Sequence, residues 1–395
     1  MTYEEIRGLD EQYVLQTYGR FPVAIDHGSG ATLYDPAGKA YIDFASGIGV
    51  NSVGYANPKW VAAVTEQAGK LAHVSNLYYT EPYARLAKEL CTRAGMAAAF
   101  FANSGAESNE GVIKLARKYS FDKYGEGRGT IITLRNSFHG RTVTTLAATG
   151  QDVFHNYFFP FTEGFRYAEA QTLDAVQDVS GHDVCAVLVE LVQGEGGVNP
   201  LDKAFVLELE QLCAKRDWLL LVDEVQTGVG RTGSLFCFQQ YGIHPAAVSF
   251  AKGIAGGLPM GGFMVSEDYR GVLNAGTHAT TFGANPICAS AALAVLDILD
   301  DDALAAVTEK GNYLRAAIEG MNSPYVKAVK GLGLMLGVAL TEELPHKKAV
   351  GKLLEKGLLC LTAGSDTLRM LPPLTITTAE LDAGIAILRQ VLTEQ

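Results

Sequence analysis

The stretch Trp218-Leu219-Leu220-Leu221-Val222-Asp223-Glu224 decides the predicted fold. Its apolar part is too short for an ordinary helix and ends in two carboxylates, so the pattern predicts a buried strand. A second apolar run, residues 246–251, ends in Lys252, and the glycines behind it exclude a long helix. In an open α/β sheet the carboxyl ends of parallel strands line the ligand crevice. If the two runs are neighbouring strands, an acid and a lysine face one pocket.

Other short runs extend this pattern in both directions along the chain. Strands are predicted at residues 31–35, 41–44, 98–102, 130–134, 184–190, 333–340 and 367–373. Helices are predicted at residues 58–71, from Gly105 onwards and at about 287–299. The alternation of strands and helices predicts an α/β protein with a mostly parallel sheet, preceded by a small antiparallel hairpin.

Residues 103–107 lead from a predicted strand into a predicted helix. Ser104 and Glu107 have the S-x-x-E spacing of a capping box. Capping boxes usually mark only the start of a helix, but a strand that runs into a helix amino terminus is also a phosphate-binding arrangement. With Lys252 in the same predicted pocket, we favour the phosphate site.

The loops after two further strands carry groups that suit a planar, charged ligand. Phe138 could stack on a ring, and Arg141 could bind a carboxylate through two parallel hydrogen bonds. Glu190 closes the strand predicted at residues 184–190 and Glu195 follows it, which places two more acids at the same sheet edge. An ordinary loop remains an alternative for the segment around Phe138, and His139 by itself indicates nothing.

Composition limits the classes of function. The formal net charge of −11 argues against nucleic acid and anionic membranes as partners. The six cysteines have no C-x-x-C spacing and the eight histidines no metal-binding spacing, so we predict reduced thiols and no metal site. Neither a charged-then-apolar leader nor an apolar segment long enough for a bilayer is present. A cytoplasmic protein is expected.

A nucleotide-binding module is the non-enzyme alternative. An apolar run ending in Asp-Glu also describes a Walker B strand, but the chain has no match to G-x-x-x-x-G-K-[ST]. Residues 228–233 fit G-x-G-x-x-G, yet five residues separate them from the strand and aromatic residues follow them. We interpret that match as accidental.

A carboxylate and a lysine at neighbouring strand ends instead suit pyridoxal phosphate, whose ring nitrogen and aldehyde need such partners.

Several motifs in order along the chain give it a family resemblance. They are Asn103-Ser104-Gly105-Ala106-Glu107, Phe138-His139-Gly140-Arg141-Thr142, Gln193-Gly194-Glu195-Gly196-Gly197, Asp223-Glu224-Val225-Gln226-Thr227-Gly228, Gly230-Arg231-Thr232-Gly233 and Ala251-Lys252-Gly253. Together they resemble the class III aminotransferases over nearly the whole chain. Residues 17–22, 76–82 and 368–373 are most similar to the members that act on acetylornithine.

The resemblance implies fold type I of the pyridoxal phosphate enzymes, the fold of aspartate aminotransferase. It implies a large domain with a mostly parallel seven-stranded sheet, expected at residues 56–285. A small α/β domain is expected from both chain ends, residues 1–55 and 286–395. It also implies a homodimer with active sites at the interface.

The resemblance also implies a role for each site residue. Lys252 and Asp223 are the implied catalytic residues, as covalent link and proton carrier and as partner of the ring nitrogen. The remaining implied cofactor contacts are Gln226 at the ring hydroxyl, Phe138 stacked on the ring, Ser104, Gly105 and Ala106 at the phosphate, and Thr281 at the phosphate of the partner subunit. The implied substrate contacts are Arg141, Glu195, Thr280 and Arg369.

The expected reaction moves the terminal amino group of N2-acetylornithine to 2-oxoglutarate, giving N-acetylglutamate 5-semialdehyde and glutamate, a step of arginine biosynthesis. Ornithine, succinylornithine, succinyl-diaminopimelate and 4-aminobutyrate stay open as alternative amine donors, because the shape of a pocket cannot be read from sequence.

Overall fold

The computed structural model describes residues 1–169 and 171–393. Its helices are α1 (Tyr3–Tyr13), α2 (Ser46–Gly49), α3 (Pro58–Lys70), α4 (Glu81–Ala94), α5 (Gly105–Tyr124), α6 (Val143–Ala148), α7 (Leu173–Asp178), α8 (Lys203–Arg216), α9 (Cys237–Tyr241), α10 (Pro286–Ile298), α11 (Asp301–Glu319), α12 (His346–Glu355) and α13 (Thr378–Thr393). Its strands are β1 (His27–Ser29), β2 (Thr32–Tyr34), β3 (Ala40–Asp43), β4 (Ala98–Ala102), β5 (Thr130–Leu134), β6 (Phe165–Ala168), β7 (Val184–Val189), β8 (Val192–Gln193), β9 (Asn199–Pro200), β10 (Leu219–Asp223), β11 (Ala247–Phe250), β12 (Gly261–Val265), β13 (Val326–Leu332), β14 (Met335–Leu340), β15 (Leu358–Leu359), β16 (Leu361–Ala363) and β17 (Thr367–Met370). Within these ranges, no helix is both long and apolar enough to cross a bilayer.

A central sheet of seven strands has the order β4-β12-β11-β10-β7-β5-β6. Strands β11, β10, β7, β5 and β6 pair in parallel. Strand β12 runs antiparallel to both of its neighbours, β11 and β4. The predicted mostly parallel seven-stranded sheet is therefore confirmed, and β10 and β11 are neighbours as expected from their sequences.

Alternate residues of the central strands belong to two separate apolar clusters. Val187, Val189 and Val222 lie in the larger cluster, whereas Leu188 and Leu221 lie in the other. Successive side chains of a strand point to opposite faces of its sheet, so both faces are covered. Helix α5 packs against β11 and β12, and α8 packs against β10. Burial on both faces explains why these strands are unbroken apolar runs in the sequence.

The two ends of the chain meet in one sheet. Strands β1, β2 and β3 form an antiparallel meander, and β15, from far along the chain, pairs in parallel with β3. A second antiparallel sheet has the order β13-β14-β17-β16. Both chain ends thus contribute to the smaller α/β part, in keeping with fold type I. The domain boundaries after residues 55 and 285 stay a prediction.

Some elements were not predicted from the sequence, and one predicted strand begins later than expected. Helix α1 and strands β6 and β12 had no predicted counterpart. Residues 333–340 were predicted as one strand, but Gly333 and Leu334 form the turn between β13 and β14. Residues 228–233 form turns before α9, so their G-x-G-x-x-G spacing does not follow a strand into a helix.

Candidate active site

A cavity of about 390 Å³ opens at the carboxyl ends of the central strands. Strand β10 ends in Asp223, Lys252 lies just after β11, and helix α5 begins beside them. The residues from the sequence prediction that line the cavity are Ser104, Gly105, Ala106, Phe138, Arg141, Asp223, Gln226 and Lys252. Parallel strands end at one edge of their sheet, which is why residues so far apart in sequence meet here.

Lys252 has an unusual backbone conformation. Its φ is 47°, in the left-handed region, which costs a non-glycine residue about 1–3 kcal/mol. The next residue is anchored, since Ser52 Oγ donates to the Gly253 carbonyl at 2.7 Å. Burial lowers the pKa of Lys252, and the charge of Glu195 acts in the opposite direction. A lowered pKa leaves more of the amine neutral, which is the form that acts as nucleophile and base.

The carboxylate of Asp223 is buried and held by three donors. Its Oδ2 accepts a hydrogen bond from Asn109 Nδ2 at 2.7 Å and lies 2.8 Å from His139 Nδ1. Its Oδ1 accepts from the Val225 amide at 2.9 Å. Asn109 is fixed in turn, because its Oδ1 accepts from Ser249 Oγ at 2.6 Å. Hydrogen bonds to a carboxylate are strong, so this network sets the orientation of Asp223 in the cavity.

Helix α5 begins with its first amides at the cavity. Ser104 is the N-cap, and its Oγ accepts a hydrogen bond from the Glu107 amide at 3.2 Å. The first-turn amides of a helix have no helical acceptor, and Gly105 and Ala106 line the cavity. A Cβ atom at Gly105 would lie 2.6 Å from Val225 Cγ1, so only glycine fits there. These amides and the helix dipole form an anion-binding position.

Arg141 lies exposed at the cavity rim. Its guanidinium is 4.4 Å from the ring centre of Phe154 and 5.6 Å from that of Phe138. The two rings contact each other edge to face, with their centres 5.6 Å apart. Cation–π contacts position the guanidinium through its flat face. The N–H donors of a guanidinium lie in its plane and suit a carboxylate.

Glu195 and Arg369 form an ion pair beside the cavity residue Gln226. Arg369 Nη1 donates to Glu195 Oε1 at 2.5 Å and to Gln226 Oε1 at 3.1 Å. The Arg369 side chain, on β17, is only 4% exposed. Burial acts to raise the pKa of Glu195, but the charge and hydrogen bond of Arg369, together with Lys252 and Gln226, outweigh burial and the pKa is lowered. Glu195 therefore neutralises Arg369 in this conformation.

Thr280 and Thr281 do not line the cavity within this one chain. Thr280 Oγ1 accepts a hydrogen bond from Asn103 Nδ2 at 3.3 Å. Thr281 is exposed, as is Phe282 beside it. The predicted contact of Thr280 with substrate and of Thr281 with the cofactor of a second subunit both stay predictions.

Asn109, Glu190 and Phe154 shape the site, although no role for them was predicted from the sequence. Asn109 lies one turn after Gly105 on the same face of α5, a spacing of four residues that could have indicated it. Glu190 is the last residue of the strand predicted at 184–190, which placed it at the correct edge without a role. Phe154 lies in a short 3₁₀ turn with no pattern in the sequence, so nothing pointed to it.

Pyridoxal phosphate suits this cavity at each of its polar groups. Its phosphate matches the amides at the start of α5, its ring nitrogen matches the carboxylate of Asp223, and its aldehyde matches the amine of Lys252. The cradle at Gly105, which a Cβ would fill, leaves backbone and not side chain facing the phosphate position. Fold and site together define a pyridoxal-phosphate-dependent enzyme of fold type I.

The chain belongs to the class III aminotransferases, because that family model matches residues 13–392. It is 51% identical to the acetylornithine aminotransferase of Haemophilus ducreyi, over all of both chains. It is 43% identical to that of Methanocaldococcus jannaschii, over 100% of this chain and 99% of the relative. Among solved structures it is similar to the ornithine aminotransferase of Toxoplasma gondii (TM-score 0.95, 30% identity, 99% and 95% of the chains). The N-acetylornithine aminotransferase of Stenotrophomonas maltophilia is another (TM-score 0.84, 34% identity, 97% of each chain).

Proposed function

We propose that this aminotransferase moves the terminal amino group of N2-acetylornithine to 2-oxoglutarate. The observation that carries the proposal is the unequal state of two arginines: Arg141 is open at the rim, whereas Arg369 is paired with Glu195. The relatives named for acetylornithine support the same substrate.

The two arginines match the two substrates of such a reaction. N2-acetylornithine reacts through its terminal amine and brings one carboxylate, which Arg141 binds. Glutamate reacts through its α-amine and brings two carboxylates, so it needs Arg141 for one and a second cation for the other. Arg369 becomes that cation when Glu195 turns away. Glu195 and Arg369 therefore act together as a selectivity gate.

The chemistry divides between cofactor and protein. Bound pyridoxal phosphate withdraws electrons from the amine-bearing carbon of the substrate. The neutral amine of Lys252 takes the proton from that carbon and returns it later, as a general base and acid. Asp223 keeps a proton on the ring nitrogen through its negative charge. Because the product of the first substrate leaves before the second substrate binds, we expect ping-pong kinetics.

A panel of amine donors tests the substrate. N2-acetylornithine, ornithine, succinylornithine, succinyl-diaminopimelate and 4-aminobutyrate are each assayed with 2-oxoglutarate, and kcat/KM is compared. We expect N2-acetylornithine to give the highest value. A higher kcat/KM for another donor would transfer the proposal to that donor and leave the aminotransferase class unchanged.

Glu195→Ala tests the gate. Without the carboxylate, Arg369 is permanently available, so the half-reaction with glutamate should gain about tenfold relative to that with the terminal-amine donor. Each half-reaction is followed separately in single turnover through the absorbance of the bound cofactor. An unchanged ratio would show that Glu195 is a structural acid and that the gate does not exist.

We also propose that the protein works as a homodimer, with Thr281 reaching the cofactor of the partner. Thr281 lies beside an exposed apolar surface formed by Leu77, Tyr78, Tyr79 and Phe282. Asn76 Nδ2 ties the two segments of this surface together by donating to the carbonyls of Thr280 and Gly283 at 3.2 and 3.4 Å. Large apolar patches on one chain mark interaction sites. Light scattering of the purified protein decides between monomer and dimer.

A cytoplasmic location is part of the same proposal. The six cysteines, at positions 91, 185, 213, 237, 288 and 360, are all unpaired. Free thiols are typical of a reducing compartment.

A further inference from the structure

Glu190 directly follows β7 and lines the cavity, yet it has no role in the proposed reaction. Its residue is only 5% exposed. Burial raises the pKa of its carboxyl above the ordinary value, with the charge of His139 acting against the rise. A carboxyl group in a place that disfavours its charge needs specific partners to hold it there.

Those partners are backbone amides of two different loops. Glu190 Oε1 accepts from the Phe138 amide at 2.8 Å, and its Oε2 accepts from the Gly194 amide at 3.3 Å. The first loop carries the aromatic ring of Phe138 and, three residues on, Arg141. The second loop carries Glu195 directly after Gly194. One carboxylate thus joins the loop that binds the first substrate carboxylate to the loop that carries the gate.

The rest of the second loop is also fixed. The Glu195 carbonyl accepts from the Gly364 amide at 2.8 Å. Gln193 Nε2 donates to the Arg135 carbonyl at 2.7 Å, and Asn199 Nδ2 donates to the Gly196 carbonyl at 2.9 Å. The backbone on both sides of Glu195 is therefore held by hydrogen bonds, which leaves its side-chain torsions as the freer part.

We propose that Glu190 is a positioning residue that holds Glu195 in register with Arg141 and thereby sets the preference between terminal-amine donors and glutamate. This inference rests on the proposed function, because it acts through the gate. Glu190 needs no contact with substrate or cofactor for this task.

Glu190→Gln removes one of the two backbone contacts at almost constant shape, because an amide NH₂ cannot accept from an N–H group. A less firmly held Glu195 masks Arg369 less well. We expect the glutamate half-reaction to gain about threefold to tenfold relative to the terminal-amine half-reaction, in the same direction as in Glu195→Ala. If the glutamine variant does not fold, Glu190→Asp replaces it in the test. This variant keeps the charge but shortens the side chain, and it should shift the ratio in the same direction.

Glu224→Gln is the matched control. Glu224 is also fully buried and also accepts two backbone amides, those of Cys237 at 2.9 Å and Phe238 at 2.7 Å, but it does not line the cavity. This variant should lower the melting temperature of the cofactor-free protein and leave the ratio of half-reactions unchanged. Glu190→Gln should change the ratio and also the visible circular dichroism of bound cofactor, because Phe138 shifts.

A double-mutant cycle separates positioning from direct action. In a Glu195→Ala background, Glu190→Gln should cause no further change in the ratio, because its route is already lost. A full additional change would overturn the proposal and assign Glu190 a direct contact with the ligands. An unchanged ratio in Glu190→Gln, with a loss of melting temperature like that of the control, would also overturn it. If Glu195→Ala alone leaves the ratio unchanged, the gate does not exist and the role of Glu190 fails with it, whereas an unchanged ratio in Glu190→Gln alone overturns only the role of Glu190.

Discussion

Arg141 and Arg369 show how one side-chain type is prepared for two tasks. Arg141 is exposed and its guanidinium lies over the rings of Phe138 and Phe154. Arg369 is buried and shares its donors between Glu195 and Gln226. Under the proposed function, Arg141 binds one carboxylate of each substrate, whereas Arg369 binds the second carboxylate of glutamate only after Glu195 leaves it.

Arg141→Lys should raise KM for both substrates, by about tenfold or more, because an ammonium cannot reproduce the planar fork with two parallel hydrogen bonds. The two half-reactions should weaken together. Arg135→Lys is the control, since Arg135 also lies over a ring, that of Tyr167 at 5.1 Å, but outside the cavity lining. Loss of only one half-reaction in Arg141→Lys would contradict a shared role.

Asp223→Asn preserves shape and removes the charge that keeps the ring nitrogen protonated. Cofactor should still bind, because the phosphate position lies at α5. The half-reaction should slow by at least about 100-fold, measured in single turnover. Asp183→Asn serves as control, because Asp183 precedes β7 at the opposite end of the sheet and binds Thr130 and Arg166. If the Asp223→Asn variant reacts at near wild-type speed, Asp223 has no role in the reaction and is only an acid at a strand end.

Side chains at strand ends could be predicted from sequence, because the fold itself brings strand ends together. Asp223, Lys252 and Phe138 were found in this way. The pairing partners of Asp223, by contrast, are Asn109 inside a helix and His139 in a loop, and the sequence does not show that either side chain pairs with Asp223. Hydrogen-bond partners depend on packing distances that a sequence does not contain.

Helix α5 contributes its amino terminus as a unit. Gly105→Ala places a methyl group 2.6 Å from Val225 Cγ1, so the first turn or Val225 has to shift. We expect the dissociation constant of pyridoxal phosphate to rise by about tenfold or more, measured by titration of the cofactor-free protein. Gly351→Ala in α12 has open space around its Cβ and should leave cofactor affinity unchanged. Equal affinity in both variants would place the phosphate elsewhere.

The strands differ in how strongly the sequence predicts them. Strands β5, β7, β10 and β11 are mostly apolar runs because helices cover both faces of the sheet. Strand β12 opens with Gly261 and Gly262, and a Cβ at Gly262 would lie 2.2 Å from the Phe100 carbonyl oxygen. Close approach of a neighbouring strand therefore requires glycine, a residue that argues against a strand when only the sequence is read. Strand β6 lies at the sheet edge and is half-buried, so its pattern is weak.

The stability of the whole molecule should depend on pH through Glu224. Burial raises its pKa from the ordinary 4.5 to about 7. Between these values the folded protein holds a proton that the unfolded chain has lost. The contribution of this carboxyl to stability is therefore complete below about pH 4.5 and is lost as the pH rises through about 7. Glu224→Gln cannot titrate, so the melting-temperature advantage of wild type over this variant should shrink between about pH 5 and about pH 8. A constant difference would contradict the raised pKa.

The pairing of β15 with β3 also bears on how the protein is made. A ribosome releases the β1–β3 meander early and β15 only near the end of synthesis. The edge of β3 that pairs with β15 is therefore unpaired while the entire central sheet is synthesised and folds. An open strand edge is a template for pairing with other chains. Newly made copies on one messenger are thus most exposed to aggregation at their amino-terminal meander, and a chaperone that covers this edge would serve them until translation ends.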